Sequence, residues 1–417
     1  MIKLAVRRNI FSLYTLQAGN YIIPLMTLPW LTRHLGVGVF GQFGFITACV
    51  AYFVLLVDWG FALSATKQIA IHNKDKLQRS NILWTTLIAR SFLALLGLAL
   101  MEFVLSVIPQ FQGLEQLFHL AFMTVLGATV NPAFYYQGVE RADKMAWFNL
   151  LVRFSSLPFT ILFVSTEQDI GRAIGIQSTC VFLAALGNLI LLVFSGDVVV
   201  VKPKISAVFE SLKDGWPLFL STASISLYTN SNVVILGFVS NSTAVASFTA
   251  AQTFIRAGQG MYEPISQSLF PRMSHHFLHS PDTAWTLLRQ LMWLQGLVTL
   301  LGSCALFIAS HWMVGLLFGP EFDSAVSILR WLSPLLFLIG LSNVFGIQGM
   351  VPLGYTIVFS RILLISGLLN IILIIPLGYW LSGDGAAIAL LTTEFVVTVL
   401  MGVFMRSIEP KLFKIPF

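Results

Sequence analysis

The sequence predicts an all-α polytopic membrane protein, and three observations carry that expectation. Of its 417 residues, 57% are hydrophobic and only 10% charged, whereas a soluble domain carries about a quarter charged residues. Apolar runs recur along the whole length, each near the roughly 20 residues that cross a bilayer as a helix. Lys and Arg are confined almost wholly to alternate connections between those runs. Spanning β-strands would show short segments of alternating apolar and polar residues, and the sequence has no such pattern.

The first run, 10–31, follows Arg7 and Arg8 and carries Pro24 and Pro29. A cleaved signal peptide has a shorter apolar core ending at a small-residue cleavage site, so this run is expected to be retained as the first span. Further spans are expected over 40–63, 82–105, 117–138, 146–165, 172–195, 216–239, 246–270, 287–310, 327–349, 360–381 and 386–405. Twelve spans in all put both termini on one side. Eighteen of the 24 Lys and Arg fall on that side, against Arg33 and Arg172 on the other, with four arginines in or beside spans. Positive charge retained on the cytoplasmic side then places both termini in the cytoplasm.

No connection is long enough for a separate domain. The longest, around 196–215 and 271–286, are expected to be cytoplasmic connections. The first of these divides the chain into an N-terminal six-helix lobe (1–200), a linker (201–215) and a C-terminal six-helix lobe (216–417). A short internal echo supports two related halves: "HLGVGVFGQFGFITACVAYF" after the first span and "ILGFVSNSTAVASFTAAQTF" within the corresponding part of the second half. Parallel repeats of this kind are a common way to build transporters.

The net charge of +6 belongs to short connections and sets topology, so no nucleic-acid partner is expected. Cys49, Cys180 and Cys304 lie far apart in apolar runs and suggest neither a disulfide framework nor a metal site. The stretch "SHHFLHS" has His275, His276 and His279 near one another, but no acidic or Cys ligand adjoins them, and a solvated loop is expected. No nucleotide, dinucleotide, zinc-protease or serine-hydrolase motif is present. No cofactor and no direct use of ATP is expected, and function must lie within the membrane or at its faces.

Charge inside a span costs about 2.5–3.5 kcal/mol on insertion scales and therefore seeks a partner or a wet cavity. Asp58 and Glu102 lie close to span ends, where they can reach headgroups. Arg90 and Arg153 sit about two turns inside, either snorkelling or facing a cavity. Arg256 and Glu263 share a face of the eighth span about 10 Å apart, too far for a direct ion pair in a straight helix. They pair with other helices or share a polar cavity. Glu394, flanked by Thr392 and Thr393 in the last span, is either a proton carrier or a structural carboxyl. Asn230, Asn232, Gln252, Gln259, Asn343 and Gln348 are candidate sugar contacts, or else hydrogen bonds between helices.

Four stretches together carry a family resemblance: "RRNIFSLYTLQAGNYIIPLMTLPWLTRHLGVGVFGQFGFITACVAYFVLLVDWGFALSATKQIA", "PLFLSTASISLYTNSNVVILGFVSNSTAVASFTAAQTF", "ISQSLFPRMS" and "FGPEFDSAVSILRWLSPLLFLIGLSNVFGIQ". They resemble the bacterial O-antigen flippases, a polysaccharide transporter family of the multidrug/oligosaccharidyl-lipid/polysaccharide exporter superfamily. The likeness runs nearly end to end. It implies twelve helices in two lobes around a V-shaped central cavity, in the bacterial inner membrane. It also implies a substrate, an oligosaccharide on undecaprenyl pyrophosphate, moved from the cytoplasmic to the periplasmic leaflet, with the O-antigen polymerase as a candidate partner. Cavity arginines of the superfamily would correspond here to Arg90, Arg153 and Arg256, joined by Asn230 and Gln252 as substrate contacts. Glu263 and Glu394 are the candidate coupling groups, and Arg33 would lie at the outer rim.

That implication agrees with the chemistry. A pyrophosphate suits forked guanidinium donors, and the polyprenyl tail can remain in lipid. A multidrug exporter with cationic cargo would call for a mainly acidic cavity. A membrane glycan polymerase or ligase would need a sizeable outer loop bearing catalytic residues. Neither fits this sequence as well.

Overall fold

The computed structural model describes the backbone of residues 2–413. The side chains of residues 1–22, 24, 142–144, 146, 221, 263, 264, 267, 268, 271 and 411 lie outside the described residues. Among the described residues every regular element is helical. The α-helices are α1 (Ile2–Asp58), α2 (Phe61–Ile71), α3 (Lys76–Val107), α4 (Glu115–Val130), α5 (Ala133–Gly138), α6 (Ala142–Phe163) and α7 (Ile170–Phe194). They continue as α8 (Ile205–Thr229), α9 (Ser231–Val239), α10 (Ser242–His279), α11 (Pro281–Phe318), α12 (Ser324–Leu332), α13 (Leu335–Asn343) and α14 (Thr356–Ile408).

Among the described residues, seven helical stretches are long and apolar enough to cross a membrane. Two of them, Leu25–Ile71 and Thr356–Ile408, span 47 and 53 residues, more than twice what one crossing needs. Each is broken internally. In α1 the backbone leaves helical geometry at Gly36 (φ 69, ψ 167), and in α14 at Ser382 (φ 53, ψ −128). A left-handed φ costs glycine little; Ser382 holds one as a side-chain-bearing residue. The expected turns between spans one and two, and between eleven and twelve, are therefore single-residue breaks in long helices.

Other expected spans are interrupted where their sequence weakens a helix. Trp59 and Gly60 both have positive φ and separate α1 from α2. Pro132 and Pro334 lie at the starts of α5 and α13, where the missing N–H costs nothing. A π-helical segment, Val344–Met350, follows α13. Two expected connections differ from the sequence reading. Residues 205–215, expected as linker, form the first turns of α8. The expected loop 271–286 is helical on both sides of Ser280, so His275, His276 and His279 lie on the last turns of α10. Apolar and small residues around them keep the helix going, and the polar character of "SHHFLHS" alone does not end it.

By internal contacts the chain forms two compact units, one of His34–Ala223 and one of Met1–Arg33 with Ser224–Phe417. In the first, α4 packs along α7 and α7 along α6. The α4–α7 approach depends on Gly127, whose added Cβ would stand 3.1 Å from the backbone of Phe182. In the second, α11 packs on α13 through Gly340, where a Cβ would meet Thr299 Oγ1 at 2.7 Å. Small residues that let helices approach closely are the expected glue where lipid offers no hydrophobic drive between helices.

Candidate substrate-binding site

In the second unit α8 and α9 are separated by the single residue Asn230, which keeps a right-handed backbone (φ −106, ψ −25) and an N–H bond to the Ser226 carbonyl at 3.1 Å. The break falls inside a long apolar stretch. Its polar side chains meet α10. Arg256 donates from Nη2 to Gln252 Oε1 at 3.2 Å and to Asn230 Oδ1 at 3.4 Å. Gln252 in turn donates from Nε2 to the Thr229 carbonyl at 3.3 Å, and Asn230 donates to Ser226 Oγ at 3.2 Å. Gln252 and Arg256 are one helical turn apart and so share a face. Gln252 is largely buried, whereas Arg256 is exposed. Thus three residues that the sequence singles out, Arg256, Asn230 and Gln252, come together in one cluster at a helix break. The guanidinium carries five donors, and two of its hydrogen bonds go to the neutral amides of Gln252 and Asn230.

Arg90 has a different setting. It is only 4% exposed, and its guanidinium is enclosed by protein. Nη2 donates to Asp58 Oδ1 at 2.6 Å, and Nη1 donates to the carbonyls of Ala128 at 3.2 Å and Asn131 at 2.9 Å. The cation lies 4.9 Å from the centroid of Phe134 and 5.9 Å from that of Phe61. The two carbonyls lie in the last turn and at the C-cap of α4, where helix carbonyls run out of helical donors; Ala128 O also accepts from the Asn131 N–H at 3.4 Å. Arg90, read from the sequence as either snorkelling or facing a cavity, here ties α3 to the end of α1 and the C-terminal end of α4. Asp58, expected to reach for headgroups, is its ion-pair partner.

The remaining expected residues have settings of their own. Arg153 is half-buried on α6. Arg33 donates from Nη2 to the Leu316 carbonyl at 2.7 Å and so caps the last turn of α11. Glu394 is buried on α14, beside Thr393, to which Asn370 donates at 3.2 Å. The side chain of Glu263 lies outside the described residues. Asn343 and Gln348, read from the sequence as sugar contacts or hydrogen bonds between helices, are tied to α10. Ser266 donates to Asn343 Oδ1 at 2.7 Å, while Gln348 donates to the Ser266 carbonyl at 2.7 Å and to its Oγ at 2.8 Å. Asn232 is fully buried and donates to the Tyr228 carbonyl. These amides bond helix to helix or helix to itself, as buried polar groups must. Among the described residues no group of three or more His, Cys, Asp or Glu is arranged to hold a metal.

Sequence reasoning missed two pairings. Glu102 is 2.6 Å from His119 Nε2. Asp169 accepts from the Ser165 and Thr166 amides and from Arg172 Nη1, the last at 2.6 Å. The second pairing was legible in part, since Thr166 and Asp169 have capping-box spacing at a helix start.

The fold and the polar break inside an apolar bundle define the class, a polytopic helical membrane protein. Solved structures with this fold include one described as lipid II flippase MurJ in an inward closed conformation. It aligns with a TM-score of 0.73 at 14% identity over 97% of this chain and 87% of that one. Another is an inward-facing multidrug resistance transporter of the MATE family, with a TM-score of 0.70 at 14% identity over 95% and 96% of the two chains. At the sequence level, a protein of Escherichia coli (strain K12) named "Putative O-antigen transporter" is 36% identical over 97% of this chain and 98% of its own. A protein of the same name in Shigella dysenteriae is 26% identical over 95% and 99%. The profile of the family described as polysaccharide biosynthesis protein matches residues 6–277. The chain belongs to that family.

Proposed function

We propose that the protein flips undecaprenyl-pyrophosphate-linked O-antigen oligosaccharide units from the cytoplasmic to the periplasmic leaflet of the bacterial inner membrane by alternating access. In this reading it crosses the membrane twelve times as two six-helix lobes, 1–200 and 216–417, joined through 201–215, with both termini in the cytoplasm. The near full-length kinship to proteins named O-antigen transporter supports the glycan. The observation that carries the site is the Arg256–Gln252–Asn230 cluster at the α8–α9 break.

Arg256 receives the pyrophosphate, with Arg153 as a second cation. Gln252 and Asn230 hold the guanidinium in orientation and exchange those bonds for substrate oxygens. Arg90 serves the fold that positions these groups. Glu394 and Glu263 are the candidates for coupling to an ion gradient. Outward movement of about two negative charges from a negative interior is favoured by roughly 2.3 kcal/mol per charge per 100 mV, less any countercharge that travels along. The O-antigen polymerase would receive the product on the outer face.

The test is complementation of surface glycan in a deletion strain, normalised to the amount of protein in the membrane. Arg256→Ala is expected to lose export, and Arg256→Lys to restore only part of it, because a point charge reproduces a fork poorly. Full export by Arg256→Ala would remove the site from the proposal. Cytoplasmic-leaflet accumulation of a different lipid-linked compound in the deletion strain would remove the substrate.

A further inference from the structure

The unit of residues 34–223 contains a cavity of about 480 Å³ formed by α2, the start of α3 and the first turns of α8. That volume is within the usual range of small-molecule sites. Ala65, Ile82 and Leu218 are among its apolar lining residues, while Lys67, Gln68 and His72 of the α2 segment, Gln78 and Asn81 of α3, and Glu210 and Asp214 of α8 supply polar walls. Glu210 and Asp214 are four residues apart on one helix and therefore share a face. Among the described residues, Lys67, Glu210 and Asp214 take part in no ion pair. Opposite charges thus line one cavity without direct contact, together with the side-chain amides of Gln68, Gln78 and Asn81.

The chemistry of the walls selects among ligands. An anionic group would meet the carboxylates of Glu210 and Asp214 as well as Lys67 and His72, so the wall offers it no surplus of cationic donors. An apolar chain would set charged and amide side chains of the wall against hydrocarbon, a costly arrangement. A polyhydroxylated, uncharged ligand satisfies every wall: its hydroxyls donate to Glu210 and Asp214, accept from Lys67, and do both with Gln78 and Asn81.

We propose that this cavity is a glycan-binding site that takes an uncharged or amino-substituted sugar unit. Resting on the flippase reading above, its ligand is the sugar portion of the transported molecule. Pyrophosphate and sugars are then recognised by different residues, Arg256 for the one and Glu210 with Asp214 for the other. The cavity adjoins the segments bearing Lys74, Lys76, Lys202 and Lys204, the side expected to be cytoplasmic, so it would engage the glycan before translocation.

The experiment uses the full chain in lipid nanodiscs and calorimetric binding of three probes. These are the phosphate-free repeat-unit oligosaccharide released from the producing strain's surface polysaccharide, undecaprenyl pyrophosphate without sugars, and the intact lipid-linked repeat unit. The double variant Glu210→Gln with Asp214→Asn, at exposed positions, is expected to bind the oligosaccharide at least about tenfold more weakly, since bonds to charged acceptors are lost. Ser211→Phe, which fills the cavity from α8, is expected to do the same. Both variants keep wild-type affinity for undecaprenyl pyrophosphate, whereas Arg256→Ala shows the reverse pattern. A matching loss for the intact lipid-linked unit supports the transported glycan as ligand; a loss confined to the free oligosaccharide overturns that source and leaves a site for soluble sugars. Unchanged oligosaccharide affinity in both α8 variants overturns the glycan site while leaving the flippase reading intact. Failure of the wild type to bind any of the three probes overturns the flippase reading, and the glycan site with it.

Discussion

Replacing Asp58 by Asn tests whether Arg90 belongs to the fold or to the substrate. The side chain of Arg90 is 5% exposed and that of Asp58 37%. Removing the carboxylate therefore leaves a buried cation whose remaining acceptors are two backbone carbonyls. Breaking a buried pair costs about 3–5 kcal/mol. Asp58 is more than a third exposed, so part of its interaction is already screened, and about 2–3 kcal/mol is the expected loss for Asp58→Asn. Arg90→Met removes the cation and leaves Asp58 able to find water, but it takes the guanidinium donor from the Asn131 carbonyl at about 1–3 kcal/mol, while Ala128 O keeps the Asn131 N–H. If the pair is one structural unit, Asp58→Asn combined with Arg90→Met is less destabilised than the two single losses added, by about 1 kcal/mol or more. Unfolding in mixed micelles with increasing SDS measures stability, and surface-glycan complementation per folded molecule measures export. The structural assignment requires export per folded molecule to survive in Arg90→Met. Wild-type stability combined with abolished export would refute it and return Arg90 to the substrate.

Two further outcomes follow from the packing and from the buried carboxyl. Gly127→Ala places a methyl group 3.1 Å from the Phe182 backbone and is expected to cost about 1–3 kcal/mol by overpacking the α4–α7 contact. Gly315→Ala, with open space around its Cβ, serves as a control expected to be neutral or slightly stabilising; equal stability of the two variants in the same SDS titration would contradict the close approach. Glu394→Gln keeps the size of a buried side chain and is expected to fold normally while flipping in proteoliposomes loses its dependence on a pH gradient. An unchanged dependence would leave Glu394 a structural residue.

Much of the architecture was legible in the sequence because membrane insertion is a local, additive property. The length of each apolar run and the price of each charge within it are set by residues adjacent along the chain. The same logic fixed the uneven distribution of Lys and Arg and singled out Arg256, Asn230 and Gln252 as costly polar residues within apolar stretches. It could not assign their partners. Arg90 meets Asp58, Ala128 and Asn131 across 32 to 41 residues of sequence, and nothing local separates it from Arg256. Both are arginines within apolar helices, yet one is enclosed by a carboxylate and helix-end carbonyls while the other is held by amides at a helix break.

Turns were misread for a related reason. A helix in lipid ends only where another donor or acceptor takes over its backbone, so polarity at 271–286 did not suffice to end α10. Single residues, Gly36 and Ser382, redirect α1 and α14 without a loop. The cavity lined by Lys67, Asn81, Glu210 and Asp214 was likewise invisible in one dimension. In the sequence these are ordinary polar residues beside spans. Only the packing of α2, α3 and the start of α8 sets them around one space, because which faces meet depends on contacts between distant segments rather than on the composition of any one of them.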